Sequence, residues 1–161
     1  MGPLPLRARQ ALLTAHIIMS VGLLGDSAGF LAVAIRAAGA GDPGAQLEQI
    51  RVLNMFAIVF GIPLSFGALL SGIALGLGTR WGVFRYPWVV AKQLSIVSVM
   101  LVGGFVIGPA LDTMLEGGGD MTPQLIAAAA YDVLILSVAT WLSVFKPGRP
   151  FRVPRSVKVE G

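Results

Sequence analysis

The sequence predicts an all-α fold, a four-helix transmembrane bundle whose two termini both lie in the cytoplasm. Four long apolar runs are joined by short polar loops, and each run exceeds the roughly 20 residues that cross the hydrocarbon core of a bilayer. The mean hydropathy of the 161-residue chain is +0.80, so the runs leave no room for a soluble domain. The four predicted spans are residues 11–38, 50–77, 89–111 and 123–145.

Nearly all positive charges lie on alternate sides of these runs. They occur before the first run, between the second and third, and after the fourth: Arg7, Arg9, Arg80, Arg85, Lys146, Arg149, Arg152, Arg155 and Lys158. The loop between the third and fourth runs carries Asp112, Glu116 and Asp120 and no cation. Because loops rich in Lys and Arg stay in the cytoplasm, we expect residues 1–148 to form the bundle and residues 149–161 a basic cytoplasmic tail.

The first run begins after two prolines and ends at the loop sequence GAGDPG of residues 39–44. A cleaved signal peptide is the alternative for such a segment. The run is about twice the length of the apolar region of a signal peptide, and His16, Asp26 and Arg36 interrupt it. We therefore expect a retained first span.

The later runs carry prolines at informative positions. Pro63 lies inside the second run between Gly61 and Ser65, which predicts a kink and a helix hinge near mid-membrane. Pro87 is placed to open the third helix. Thr122 followed by Pro123 predicts a capped start for the fourth helix.

Small residues recur at the spacing of helix contacts. In lipid, such stripes let helix backbones approach closely, which predicts bundle packing and a homo-oligomer. The stripes are Gly22, Gly25 and Gly29 in the first run, Gly67, Ser71, Gly72 and Gly76 in the second, and Gly104 and Gly108 in the third.

Composition excludes several classes of function. The net charge of +4 comes from cations at membrane borders, where they contact lipid headgroups, so we expect no nucleic-acid partner. The chain has no cysteine, which excludes disulfides, iron–sulfur clusters and thiolate metal sites. No metal-ion site is predicted.

Four ionisable residues lie within the apolar runs, where each costs about 2.5–3.5 kcal/mol on the insertion scale. His16 and Lys92 are predicted at matching depth near the cytoplasmic side, and Asp26 and Asp132 at matching depth further out. Structural explanations exist for all four. Neighbouring hydroxyls or carbonyls would satisfy His16, and Asp26 would hydrogen-bond across a tight helix contact. Asp132 lies on a packing face, and Lys92 is close enough to the border to extend its ammonium to the headgroups.

Three functional hypotheses remain open. A neutral imidazole in an apolar bundle is a common axial ligand of haem iron, so His16, with Lys92 beside it, predicts a haem b or other cofactor site. Two carboxylates in a low dielectric cannot both ionise unpaired, so Asp26 and Asp132 would instead serve a proton- or cation-coupled small-molecule transporter. The third is an accessory subunit that packs on a larger membrane complex.

Several segments together resemble an uncharacterised family of four-span integral membrane proteins of actinobacteria, which implies a bacterial plasma membrane. The similarity extends from about residue 12 to 147. The segments that carry it are Leu13–His16, Ile62–Ser65, Leu70–Gly72, Gly78–Arg85, Trp88–Lys92 and Val144–Pro147.

More distantly, the histidine of the first span and the Trp-x-x-x-Lys at the start of the third are similar to HemJ-type protoporphyrinogen oxidases and copper-resistance D-type membrane proteins. In the HemJ family these two positions are associated with haem b and with activity. The resemblance implies those roles for His16 and Lys92. The HemJ-like histidine later in the third span has no counterpart here, since residues 102–105 read Val-Gly-Gly-Phe.

Overall fold

The computed structural model describes residues 5–78 and 86–145, and the elements of these ranges are all helical. The predicted basic tail of residues 149–161 and the arginines Arg80 and Arg85 lie outside the described residues. Four rods, each long and apolar enough to cross a membrane, run from Leu6 to Ala38, from Pro43 to Gly78, from Pro87 to Leu115 and from Thr122 to Phe145. The prediction of an all-helical bundle with four helices long and apolar enough to span a membrane is therefore confirmed, whereas the cytoplasmic position of the termini stays a prediction.

The second and third rods are each interrupted by a short π-helical segment. In chain order the elements are α1 (Leu6–Ala38), α2 (Pro43–Met55), the first π segment (Phe56–Gly61), α3 (Ile62–Gly78), α4 (Pro87–Val102), the second π segment (Gly103–Ile107), α5 (Gly108–Leu115) and α6 (Thr122–Phe145).

Polar side chains fix two of the helix starts. Asp42, which the sequence placed in a loop, caps α2 by accepting the N–H of Ala45 on Oδ2 at 2.8 Å. At the start of α6, Asp120 Oδ1 accepts the backbone N–H of Thr122 at 2.9 Å and its hydroxyl at 2.7 Å. These two bonds hold the pKa of Asp120 below its ordinary value. The helix thus starts at Thr122, where the sequence predicts its beginning, and the Thr122 hydroxyl donates to Asp120.

The rods pack as a ring in chain order. α1 contacts α2 and α3 on one side and α6 on the other, and α4 packs on both α3 and α6. Large apolar side chains cover the outside of this ring, for example Ile17, Phe105 and Leu134, which are 52%, 78% and 66% exposed. Such an exterior is typical of a surface that faces lipid.

Part of the predicted glycine stripes lies where the first two rods meet, whereas a Cβ at Gly25 or Gly104 would have no neighbour within 4 Å. A Cβ at Gly22 would contact the Leu64 side chain at 3.4 Å, and one at Gly29 would contact the Phe56 ring at 3.1 Å. These glycines therefore pack rods within one chain. A homo-oligomer stays a prediction.

The buried side chains divide into two clusters along the bundle axis. Twelve buried residues pack together in what we call the packed half, which comprises α2, α5, the end of α1 and the start of α6. Only five form the cluster of the open half, which comprises α3, α4, the start of α1 and the end of α6. The packed half therefore holds most of the apolar core.

The π segments lie between these halves. The Ile62 N–H donates to the Ala57 carbonyl and the Gly108 N–H to the Gly103 carbonyl, both five residues back. Each segment is followed two residues later by a proline, Pro63 or Pro109. Because proline has no N–H and its ring crowds the preceding turn, a wider turn there relieves the clash. The predicted hinge at Pro63 thus coincides with a distorted turn, and hinge motion stays a prediction.

Candidate functional site

The open half contains a chamber of about 570 Å³ to which all four rods contribute. Its volume is within the range of about 300–1,000 Å³ that is typical of ligand pockets. The polar side chains that line it are Arg9, His16, Ser20, Lys92, Gln93, Thr140 and Ser143.

Apolar side chains close the inner end of this chamber. Leu23, Ile96 and Leu136 line it and also belong to the buried cluster of the open half. Arg9 and Val144, at the exposed ends of α1 and α6, line it too, so the chamber reaches the end of the bundle. A ligand there would have an apolar floor and a cationic mouth.

His16 is held against α3 by one hydrogen bond. Its Nδ1 lies 2.9 Å from Ser71 Oγ, and Ser71 Oγ lies only 2.6 Å from the Gly67 carbonyl oxygen. A carbonyl can only accept, so the Ser71 hydroxyl donates to Gly67 and its lone pair accepts the Nδ1–H of His16. In the neutral imidazole, this network places the proton on Nδ1 and leaves the lone pair on Nε2.

Gly72 provides the space for this arrangement. A Cβ at this position would lie 3.2 Å from His16 Cε1 and 3.7 Å from Gln93 Nε2. A Cβ at position 72 would therefore crowd the imidazole, whereas its distance to the Gln93 amide is an ordinary van der Waals contact. Gly72 acts as a positioning residue for the histidine, and Gln93 is a further polar side chain of the chamber wall.

Lys92 lines the same chamber as His16. Its Nζ lies 5.9 Å from the centre of the Trp88 ring, one turn nearer the start of α4. This distance is within the range of cation–π contacts. The ammonium thus lies between the chamber and the aromatic end of the helix, and the structure brings together the two residues of the inner predicted layer.

Asp26 and Asp132, the outer predicted layer, lie outside the chamber and deeper in the bundle. Asp132 is 5% exposed. The Oδ1 atoms of both carboxylates are buried and have no hydrogen-bond partner among the described residues. Asp26 Oδ2 faces the first π segment, 3.4 Å from where a Cβ of Gly61 would lie.

Sequence reasoning missed Ser71 and Gln93 as parts of the site. Ser71 belongs to a predicted stripe of small residues, and its hydroxyl is the only sequence signal that it can also orient a buried side chain. Gln93 directly follows Lys92 and gives no pattern of its own. No group of three or more His, Cys, Asp or Glu side chains that could hold a metal ion occurs within residues 5–78 and 86–145.

The chain matches no protein-family model, no curated protein and no solved structure. Its function is therefore argued from the geometry of the chamber and of the carboxylate layer.

Proposed function

We propose that the open half is a cofactor-binding chamber in a bacterial plasma membrane, with haem b as its cofactor and His16 Nε2 as the axial ligand. The observation that carries this proposal is the hydrogen-bond network from His16 Nδ1 through Ser71 to the Gly67 carbonyl. Histidines that bind metals typically donate their other ring N–H to a fixed acceptor, which sets the tautomer and raises the basicity of the ligating nitrogen.

The walls of the chamber fit a large apolar group that carries carboxylates. Leu13, Leu75 and Ile96 supply apolar surface. Arg9 and Lys92 supply positive charge toward the mouth, where the two propionates of haem b would lie. With the predicted orientation, this mouth faces the cytoplasm.

The histidine content of the chain limits which protein ligands the haem iron could have. His16 is the only histidine, so two imidazoles from one chain are excluded. Haem in a single chain would have His16 alone, or His16 with a deprotonated Lys92. Ligation by two histidines would require a dimer that contributes one His16 from each chain.

When bound, haem would supply one-electron chemistry at the iron. The protein residues have three separate tasks. Ser71 and Gly72 orient the imidazole, Arg9 and Lys92 would compensate the charge of bound carboxylates, and the apolar floor would exclude water from a bound cofactor.

The test is the absorption spectrum of the purified chain from cells supplied with a haem precursor, recorded oxidised and then reduced with dithionite. We expect about one haem per chain and a Soret band that shifts on reduction. The His16→Ala variant should lose this band. Thr140→Ala is the matched control, because Thr140 also lines the chamber but its hydroxyl donates to the Leu136 carbonyl of its own helix.

A colourless wild-type protein would contradict the proposal, as would a His16→Ala variant with full haem content. Native purification in mild detergent gives a further outcome. A stoichiometric second protein that stays bound would favour the accessory-subunit hypothesis over a self-contained cofactor protein.

A further inference from the structure

Asp26 and Asp132 lie at one level of the bundle, between its two buried clusters. Leu23 of α1 and Leu136 of α6 share the cluster of the open half, whereas Phe30 and Ala129 share that of the packed half. Because α1 and α6 pack against each other and run in opposite directions, positions between these pairs lie at the same level along the bundle axis. Asp26 and Asp132 are those positions.

Within residues 5–78 and 86–145, no side chain at this level carries a positive charge. The sequence has no charged residue between Arg51 and Gly78 or between Gln93 and Leu111. On α1, His16 and Arg36 are each ten positions from Asp26, about 15 Å along the helix. The remaining titratable group nearby is Tyr131, whose hydroxyl donates to Ser98 Oγ at 2.9 Å.

One oxygen of each carboxylate is unsatisfied in the part of the chain that the structure describes. Oδ1 of Asp132 is buried on a residue that is only 5% exposed, and Oδ1 of Asp26 is buried as well. Neither atom has a hydrogen-bond partner among the described residues. Buried carboxylate oxygens are normally paired, hydrogen-bonded or bound to a cation.

The two π segments add backbone oxygens at the same level. The first π segment packs against α1, and a Cβ at its Gly61 would lie 3.4 Å from Asp26 Oδ2. The second π segment packs against α6, which carries Asp132. Pro63 and Pro109 have no N–H, so one carbonyl of each segment lacks its helical donor. Distorted turns in membrane helices are tolerated where the freed backbone groups find other partners.

We propose that Asp26 and Asp132 bind one monovalent cation between them, with freed carbonyls of the two π segments as further ligands. Carboxylate and carbonyl oxygens are hard ligands, so the occupant is a proton shared by the two carboxylates or a sodium ion. This site does not depend on haem in the chamber. Cation binding here is the first requirement of a cation-coupled transporter.

The experiment measures sodium and proton occupancy on the full-length protein in lipid nanodiscs. Binding of radioactive sodium is measured by equilibrium dialysis in a buffer that contains no other sodium. A bulky organic cation serves as the balancing salt. Infrared spectra of the same samples report the carbonyl stretch of any protonated carboxyl group. Asp26→Asn and Asp132→Asn are compared with Glu116→Gln, which removes an exposed carboxylate at the end of α5.

Two results support the proposal and identify the occupant. About one sodium per chain, lost in both asparagine variants and retained in Glu116→Gln, identifies a sodium site. A protonated carboxyl band equivalent to one proton per chain, changed by either asparagine substitution, identifies a shared proton. Asparagine is close to aspartate in size, and the elution volume and helical circular dichroism of each variant report whether it has folded.

Two results would overturn it. One is two protonated carboxyl groups per chain, each removed by its own substitution, which would mean that the carboxyls are neutralised independently. The other is the absence of both bound sodium and a protonated band that responds to the substitutions.

Discussion

The two halves of the bundle are built from the same four rods but differ in how many side chains they bury and in the space left between the helices. The packed half buries twelve side chains in one cluster and has few polar groups inside it. The open half buries five and leaves a chamber of about 570 Å³ lined by seven polar side chains. The comparison indicates that stability comes mainly from one half, which leaves the other free to hold a ligand.

The first prediction tests the difference in stability between the halves by truncating one leucine in each of them. Leu53 of α2 is fully buried, whereas Leu75 of α3 lines the chamber. We expect Leu53→Ala to lower the free energy of unfolding by about 2–5 kcal/mol and Leu75→Ala by much less, because no closed cavity forms at the chamber wall. Unfolding in mixed micelles measures both values.

The control for this pair is Leu101→Ala, which truncates a side chain that is 53% exposed on the outside of the third rod. Equal losses at Leu53 and Leu75 would contradict the division between halves.

A second prediction concerns Ser71, which fixes the histidine tautomer. Ser71→Ala removes the acceptor of the His16 Nδ1–H, and loss of such a supporting hydrogen bond typically weakens metal binding by about 10–100-fold. Titration of the cofactor-free protein with haemin measures the change. Ser143→Ala should bind as the wild type does, because Ser143 lines the chamber but bonds to the Ala139 carbonyl of its own helix. Equal weakening in both variants would mean that Ser71 has no special role.

A third prediction concerns Gly72, which leaves space for the His16 imidazole. The added methyl of Gly72→Ala would lie 3.2 Å from His16 Cε1, so the imidazole must move by a few tenths of an ångström. We expect haem affinity to fall by about tenfold or less while the helix itself gains stability from alanine. Gly25→Ala is the control, since nothing lies within 4 Å of its added methyl. Unchanged haem affinity in Gly72→Ala would show that the imidazole position is not critical.

The smallest expected effect is at the start of α6, in the packed half. Asp120→Ala should cost less than about 1 kcal/mol near neutral pH, because the helix start loses one exposed acceptor. The pKa of Asp120 is lowered in the folded state, so its contribution exists above the unfolded pKa of about 3.9 and disappears as the pH falls through the folded value. Unfolding at several pH values measures this. A difference from wild type that persists in strong acid would contradict it, and Asp120→Asn, which keeps an acceptor oxygen, should lose less.

The sequence was sufficient for the four rods, because each needs only an apolar run of the right length, and the matching depth of Asp26 and Asp132 followed from counting along helices. It was not sufficient for the contact between His16 and Ser71, which depends on how the first two rods rotate against each other. The π segments were also missed. Pro63 indicated a distortion, but the wider turn lies upstream of the proline and depends on tertiary packing.

The division between halves is tested most directly by measuring two properties on two variants. Haem content and the unfolding temperature of the cofactor-free protein are compared for His16→Ala and Leu53→Ala. The account predicts a crossed pattern, in which His16→Ala loses haem but keeps its stability, and Leu53→Ala loses stability but still binds haem while folded. If His16→Ala destabilises the cofactor-free protein as much as Leu53→Ala does, or retains its haem, the histidine belongs to the structural core and the account is contradicted.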